Sequence, residues 1–187
     1  MSDSHPLQRT WVLWQHVSND DDKNELIEEV CEFNTVEDFW SNFNWISKPS
    51  EVFYDGFGRK EEQGKYIIAL SLFKKGINPK IRKSEGNITI TYGKPMQVEL
   101  LDMFWENGIL GLIGETIDEA DDINGYTIID KSKLNSGLTN FSLDLSMKTK
   151  DTTVTDRVKN RWYQVLCDGI IRNICKPVAN QITTISH

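Results

Sequence analysis

The chain has 187 residues and a mass of 21.6 kDa, with 39% hydrophobic residues, enough to fill one core and with no division into two self-sufficient apolar sets. A formal charge of −7 and a pI near 5.0 exclude broad electrostatic attachment to nucleic acid, which needs clustered Lys and Arg to displace counterions, while leaving room for a small basic pocket. No run approaches the roughly 20 apolar residues that cross a bilayer, Met1–Gln8 lacks the basic-then-apolar order of a signal peptide, and the scattered Cys31, Cys167 and Cys175 form neither a disulfide framework nor a zinc knuckle. The expectation is a soluble cytoplasmic protein, with nuclear residence also open, that carries no cofactor and no metal.

In chain order, residues 1–8 are polar and read as a flexible N-terminal segment, 9–178 as a single domain and 179–187 as a C-terminal tail. Trp11 to His16 alternate as a strand with a heavily aromatic face, ended by the acidic patch Asp20, Asp21 and Asp22. At Thr35 the period changes. Thr35 can cap a helix, Asp38 stands three residues on, and Val36, Phe39, Trp40 and Phe43 recur at helical spacing, predicting a helix to about Ile46. Ser50 to Gly64 reads as irregular surface chain, Tyr66 to Phe73 as a long strand, Gly76 to Lys83 as a basic turn, and Ile88 to Thr91 as a short strand. A helix follows Pro95, apolar on more than one side from Val98 to Ile113. Tyr126 to Ile129 and Phe141 to Leu145 read as two strands joined by a polar loop, and a last helix runs from about Thr153, through Val158, Trp162 and Leu166, to Ile174 before Pro177. This order fits an α+β domain whose sheet is covered on one face and open on the other.

Several strings carry a resemblance: His5-Pro6-Leu7-Gln8 with Trp11-Val12-Leu13-Trp14, then Phe33-Asn34-Thr35-Val36-Glu37-Asp38-Phe39-Trp40, then Phe104-Trp105, Leu112-Ile113-Gly114-Glu115 and Asp121-Asp122-Ile123-Asn124-Gly125. Ordered over roughly residues 5–130, they resemble the translation initiation factor 4E family, which binds the mRNA cap. The resemblance implies a strongly curved antiparallel sheet with three long helices on its convex face and an open concave face. It also implies two sites: a concave pocket where two Trp rings sandwich the cationic 7-methylguanine, a carboxylate holds the base and basic residues hold phosphate, and a convex face that accepts a helical peptide from a scaffold initiation factor or a repressor.

The pocket departs from the family pattern. Where the first stacking Trp is expected this sequence has Asn24 or Glu25, and where the second Trp and its adjacent Glu are expected it has Ile81 and Arg82. An aliphatic chain cannot stack a base, and a guanidinium repels a cationic one. Lys131 and Lys133 match the basic pair for phosphate. Phe53, Tyr54 and Phe57, with Trp45 nearby in sequence and Phe141, read either as anchors over the sheet edge or as a rearranged stack for a base. On the convex side, His5, Pro6, Val36, Trp40, Leu110 and Glu115 match the partner-accepting positions, while Glu106 and Asn107 replace the family's Leu-Glu pair, so that Asn107 stands where a carboxylate would meet a partner Arg.

No nucleophile elbow, phosphate-cradling Gly loop or paired nucleophile and base stands in the sequence, so no enzyme is expected. The reading that follows is a divergent 4E-like protein acting in translation or its regulation through helical-peptide partners, with cap binding weak or lost. Two alternatives stand beside it: a cap or modified-nucleotide reader with a rearranged aromatic pocket, and a structural subunit of a ribonucleoprotein complex.

Overall fold

The computed structural model describes residues 4–19, 25–79, 87–91, 98–117, 119–132, 140–170 and 182–184. In chain order the elements are β1 (Pro6–Asn19), β2 (Leu26–Thr35), α1 (Val36–Phe43), α2 (Pro49–Phe53), β3 (Lys65–Lys74), β4 (Ile88–Thr91), α3 (Val98–Ile113), a 3-10 turn (Ala120–Asp122), β5 (Ile123–Asp130), β6 (Phe141–Met147), α4 (Thr152–Leu166) and β7 (Ile182–Thr184). The strands form one seven-stranded sheet in the order β2-β1-β3-β5-β6-β4-β7, with antiparallel pairing throughout.

The α+β class stands, but the strongly curved sheet expected from the resemblance does not. The strand order is linear, its two ends do not pair with each other, and the sheet is neither strongly curled nor closed. Its irregularities are single register shifts at Leu13/Trp14 against β2, at His16/Val17 against β3 and at Ile123/Gly125 against β6, and a larger one between Pro6 and Trp11 where β1 enters its pairing with β2. The helices differ as well. Among the described residues α3 and α4 are long, at 16 and 15 residues, whereas α1 has 8 and α2 has 5.

Local chemistry explains the elements. The Thr35 hydroxyl accepts the Asp38 N–H at 3.0 Å, and Glu37 and Asp38 place negative charge at the positive end of α1. The helix closes at Phe43, where Asn44 caps it, three residues before the expected end. α2 starts on Pro49 and is fixed to α3 by Asp102, which accepts from the Ser50 N–H at 2.8 Å and the Ser50 hydroxyl at 2.6 Å. β2 falls where no strand was expected, because Glu28, Glu29 and Glu32 mask its alternation.

Alternation in the strands divides the sheet cleanly. Trp11, Leu13, Leu70, Leu72, Tyr126, Ile128, Leu143 and Leu145 face the helices and join one core with Phe104, Trp105, Ile109, Val158, Trp162 and Leu166. α3 approaches that core closely because it carries Gly108 and Gly111. A Cβ at Gly108 would lie 2.5 Å from the Tyr126 ring, and one at Gly111 would lie 2.5 Å from Val165 of α4. The Trp162 ring meets Tyr126 edge-on at 4.8 Å.

Candidate functional site

On the helix-covered face, α1 turns Phe39 into the core and leaves Val36 and Trp40 outward, 37% and 39% exposed. The Trp40 indole is not loose: its ring lies 4.8 Å from Phe39 and 6.0 Å from Phe43. The chain before β1 is clasped to the start of this helix. The His5 carbonyl accepts the Val36 N–H at 2.9 Å, and Glu37 accepts from His5 Nδ1 at 2.6 Å and from the His5 N–H at 3.0 Å. These bonds from His5 hold the Glu37 carboxyl down at about 2. His5, exposed Pro6, Val36 and Trp40 therefore lie together at one end of α1.

The α3 positions are arranged differently. Leu110 is half-buried against the core. Glu115 accepts from Arg9 Nε at 2.9 Å, and Arg9 also contacts Asp121, so this carboxylate is engaged with β1. Asn107 Nδ2 donates to the carbonyls of Leu166 and Asp168, at 3.0 and 2.9 Å, closing the end of α4.

Across the opposite face, register sets Trp14, Ser71, Thr127, Asp144 and Thr89 side by side on five successive strands. Behind Trp14, His16 is fully buried, with Nδ1 against Glu25 and Nε2 2.7 Å from the Ser71 hydroxyl, which lies 2.9 Å from the Thr127 hydroxyl. With the ring neutral, one proton arrangement satisfies every contact: Nδ1 donates to Glu25, Ser71 donates to Nε2, and Thr127 donates to Ser71. Burial keeps His16 neutral by lowering its pKa, with Glu25 opposing that shift. The order acid, imidazole, hydroxyl is that of a hydrolytic triad, but Ser71 is 0% exposed and already shared with Thr127, so no substrate carbonyl reaches it. The chain of bonds is a cross-tie of β1, β3 and β5 that also fixes Glu25.

Asn24, Ile81, Arg82 and Lys133 lie outside the described residues. Lys131 is exposed at the end of β5. Of the aromatic residues, Phe53 and Phe141 are buried together at 5.9 Å between ring centres, and the Tyr54 hydroxyl donates to the Gly56 carbonyl at 2.9 Å. Phe57 is 93% exposed on a turn closed by Asp55, whose carboxylate accepts the N–H groups of Phe57 and Gly58 at 2.8 and 2.9 Å. Trp45 is 90% exposed beyond α1. Single-sequence reading missed the His16 cross-tie, whose members stand at 16, 25, 71 and 127. The one available signal was the placing of a His on the face that Trp11 and Leu13 do not occupy.

The fold is thus an α+β domain, a seven-stranded antiparallel sheet whose core faces the helices, with Val36 and Trp40 left open on α1. The comparisons with known proteins agree. A model of the family described as eukaryotic initiation factor 4E matches residues 6–173. Eukaryotic translation initiation factor 4E1 of Drosophila melanogaster is 32% identical over 90% of this chain and 65% of its own length, and the Homo sapiens factor 4E is 34% identical over 69% and 57%. The chain thus spans less than two thirds of the length of these curated relatives. Among solved structures, Caenorhabditis elegans eIF4E-3 in complex with the 4E-binding protein Mextli and a cap analog superposes with a TM-score of 0.61 at 27% identity, over 89% of this chain and 87% of that one. Ascaris suum eIF4E-3 with m7G cap shares the fold, with a TM-score of 0.67 at 24% identity, over 88% and 85%. The chain belongs to the eukaryotic initiation factor 4E family, as a divergent member.

Proposed function

We propose that this chain is a non-catalytic adaptor of mRNA translation or its regulation, working in the cytoplasm or nucleus. It docks a helical segment of a scaffold-initiation-factor or repressor type protein on α1, and it binds the 7-methylguanosine cap weakly or not at all. The observation that carries the reading is the Val36–Trp40 stripe. Two large apolar side chains four residues apart stay open on a helix whose other face is buried, and the His5–Glu37 clasp fixes the chain beside them. The C. elegans relative is bound by a dedicated 4E-binding protein, which supports a partner of that class here.

The same geometry speaks against a cap sandwich. Glu25, at a position where the family would stack the base, is fixed on His16, and of the rings offered as replacements Phe53 and Phe141 are buried together, leaving Phe57 and Trp45 open on separate elements. Base stacking on an aromatic ring contributes roughly 1–3 kcal/mol, so loss of two rings weakens cap binding by about 30-fold or more. In a fluorescence titration with 7-methylguanosine triphosphate beside C. elegans eIF4E-3, this chain binds at least that much more weakly. A micromolar Kd that disappears in Phe57→Ala would reverse this half of the reading.

For the docking half, the 4E-binding region of Mextli is titrated against wild type and Trp40→Ala. The variant weakens binding by about 2 kcal/mol, or 30-fold, as expected for an aromatic anchor. Its unfolding midpoint in urea also falls, because the ring packs on Phe39 and Phe43, so affinity is read at a temperature where circular dichroism shows the variant folded. Unchanged affinity in a folded variant removes α1 as the docking surface.

A further inference from the structure

We propose that Glu106 is the α3 residue that selects the partner, that Met103 is its apolar neighbour, and that Asn107 acts as a structural cap, so that a docked helix must carry a Lys or Arg opposite Glu106. This inference rests on the docking reading above and deepens it.

Met103, Glu106, Asn107 and Leu110 fall at i, i+3, i+4 and i+7 and so share one face of α3. Along it Met103 is 39% exposed, Glu106 is exposed and Leu110 is half-buried. Asn107 sits in the middle of the stripe, yet both hydrogens of its NH₂ group are committed to the Leu166 and Asp168 carbonyls. Its side chain is thereby fixed by α4, and what it still offers a partner cation is a neutral Oδ1 acceptor with no charge.

The charge on this face belongs to Glu106. Its carboxylate forms no ion pair with any described residue. The exposed Asp168 is held next to Asn107 by its own carbonyl and is likewise without an ion pair among the described residues. α4 ends at the same spot with no basic residue in its last turn, so the negative end of its dipole adds to the two carboxylates. A cation is the group this surface favours.

α1 packs against β2 and α3 against β1, and these two strands are paired neighbours, so the stripe and the α1 surface stand side by side on one face of the sheet. α1 begins and α3 ends beside the same stretch of β1, where the His5 carbonyl accepts from Val36 and Arg9 pairs with Glu115. A helix lying over Trp40 and crossing to α3 would set its apolar residues on Val36, Trp40, Leu110 and Met103 and a basic residue on Glu106.

The test uses the full chain, the 4E-binding region of Mextli as probe, and a set of probes in which each Lys or Arg is changed singly to Glu. Glu106→Gln weakens binding about fivefold at about 50 mM salt, and the difference closes near 0.5 M, as an exposed charge pair requires. Glu106→Lys weakens it by about 30-fold, and one Lys-to-Glu or Arg-to-Glu probe restores binding to that variant. Asn107→Ala lowers the thermal midpoint but leaves Kd within about twofold where the protein is folded. Indifference to Glu106→Gln at low salt, the lack of any rescuing probe, or a folded Asn107→Ala that weakens binding as much as Glu106→Gln overturns the inference. If wild type binds and Trp40→Ala abolishes binding while Glu106 is neutral, this inference alone falls. If wild type does not bind at all, the docking reading falls and takes it along.

Discussion

Arg59→Ala lowers the stability of the domain by about 3–5 kcal/mol, the range for removing one partner of a buried ion pair. The Asp130 side chain is 1% exposed and that of Arg59 is 9% exposed. Arg59 Nε donates to Asp130 Oδ2 at 2.6 Å and Nη2 donates to the Asp130 carbonyl at 3.1 Å, so the guanidinium satisfies side chain and backbone together. Its charge also lies 4.8 Å from the centre of the Tyr66 ring. Without the guanidinium, a carboxylate at the end of a central strand is left in a dry site, held among the described residues by the Ser132 N–H at 2.8 Å on its other oxygen. The double variant Arg59→Met, Asp130→Leu recovers all but about 1–2 kcal/mol, since no charge remains to be desolvated. Urea midpoints of the three proteins decide it: a single variant within 1 kcal/mol of wild type by the same criterion would mean that water reaches Asp130.

A second substitution acts through shape alone. Gly125→Ala costs roughly 3 kcal/mol, at the upper end of overpacking penalties. A Cβ at Gly125 would stand 2.4 Å from the Leu72 carbonyl oxygen and 2.5 Å from Cγ of Phe73. Gly125 pairs directly with Phe73 across β3 and β5, and the Phe73 ring, 4% exposed, occupies the space that a side chain would need. The carbonyl belongs to the sheet ladder and cannot step aside, so the strands must part. Gly58→Ala is the control: a Cβ there meets nothing within 4 Å. Differential scanning calorimetry should show a drop of several degrees for Gly125→Ala and almost none for Gly58→Ala.

The sequence was legible where one periodicity ran unbroken. Tyr66 to Phe73, Ile88 to Thr91 and the apolar residues of α3 fell in the expected elements because burial leaves few choices of residue there. α1 was marked by its Thr35 cap, but its end was not, since Trp45 and Ile46 continue the apolar pattern past the point where Asn44 caps the helix. β2 was hidden because an outermost strand needs burial at few positions, and Phe33 is the one residue in it that is fully buried. The five residues of α2 are too short for any period to show. Sheet curvature was an inheritance from the resemblance, and nothing in the local pattern of a strand reports it.

Site residues divide in the same way. Trp40 was readable as an outward residue because Val36 and Phe39 fix the phase of the helix. The fate of Asn107 was not, because its partners are backbone carbonyls 59 and 61 residues away, and carbonyls leave no trace in a sequence. The His16 cross-tie joins residues up to 56 positions apart across three strands, a relation set by register alone.

The outermost position of β2 has a consequence for how these molecules meet one another. A ten-residue strand with one flank unpaired among the described residues is a template on which a second sheet can grow. Here the strand carries exposed Glu29, Glu32 is paired with Lys75 at 2.7 Å, and the register shift at Leu13/Trp14 leaves Val30 without an opposite number, kinking the ladder halfway along. Two copies approaching edge to edge would meet a broken line of donors and acceptors with a carboxylate, Glu29, beside the break, so the bulge and its acidic neighbour guard the strand against fibrous growth.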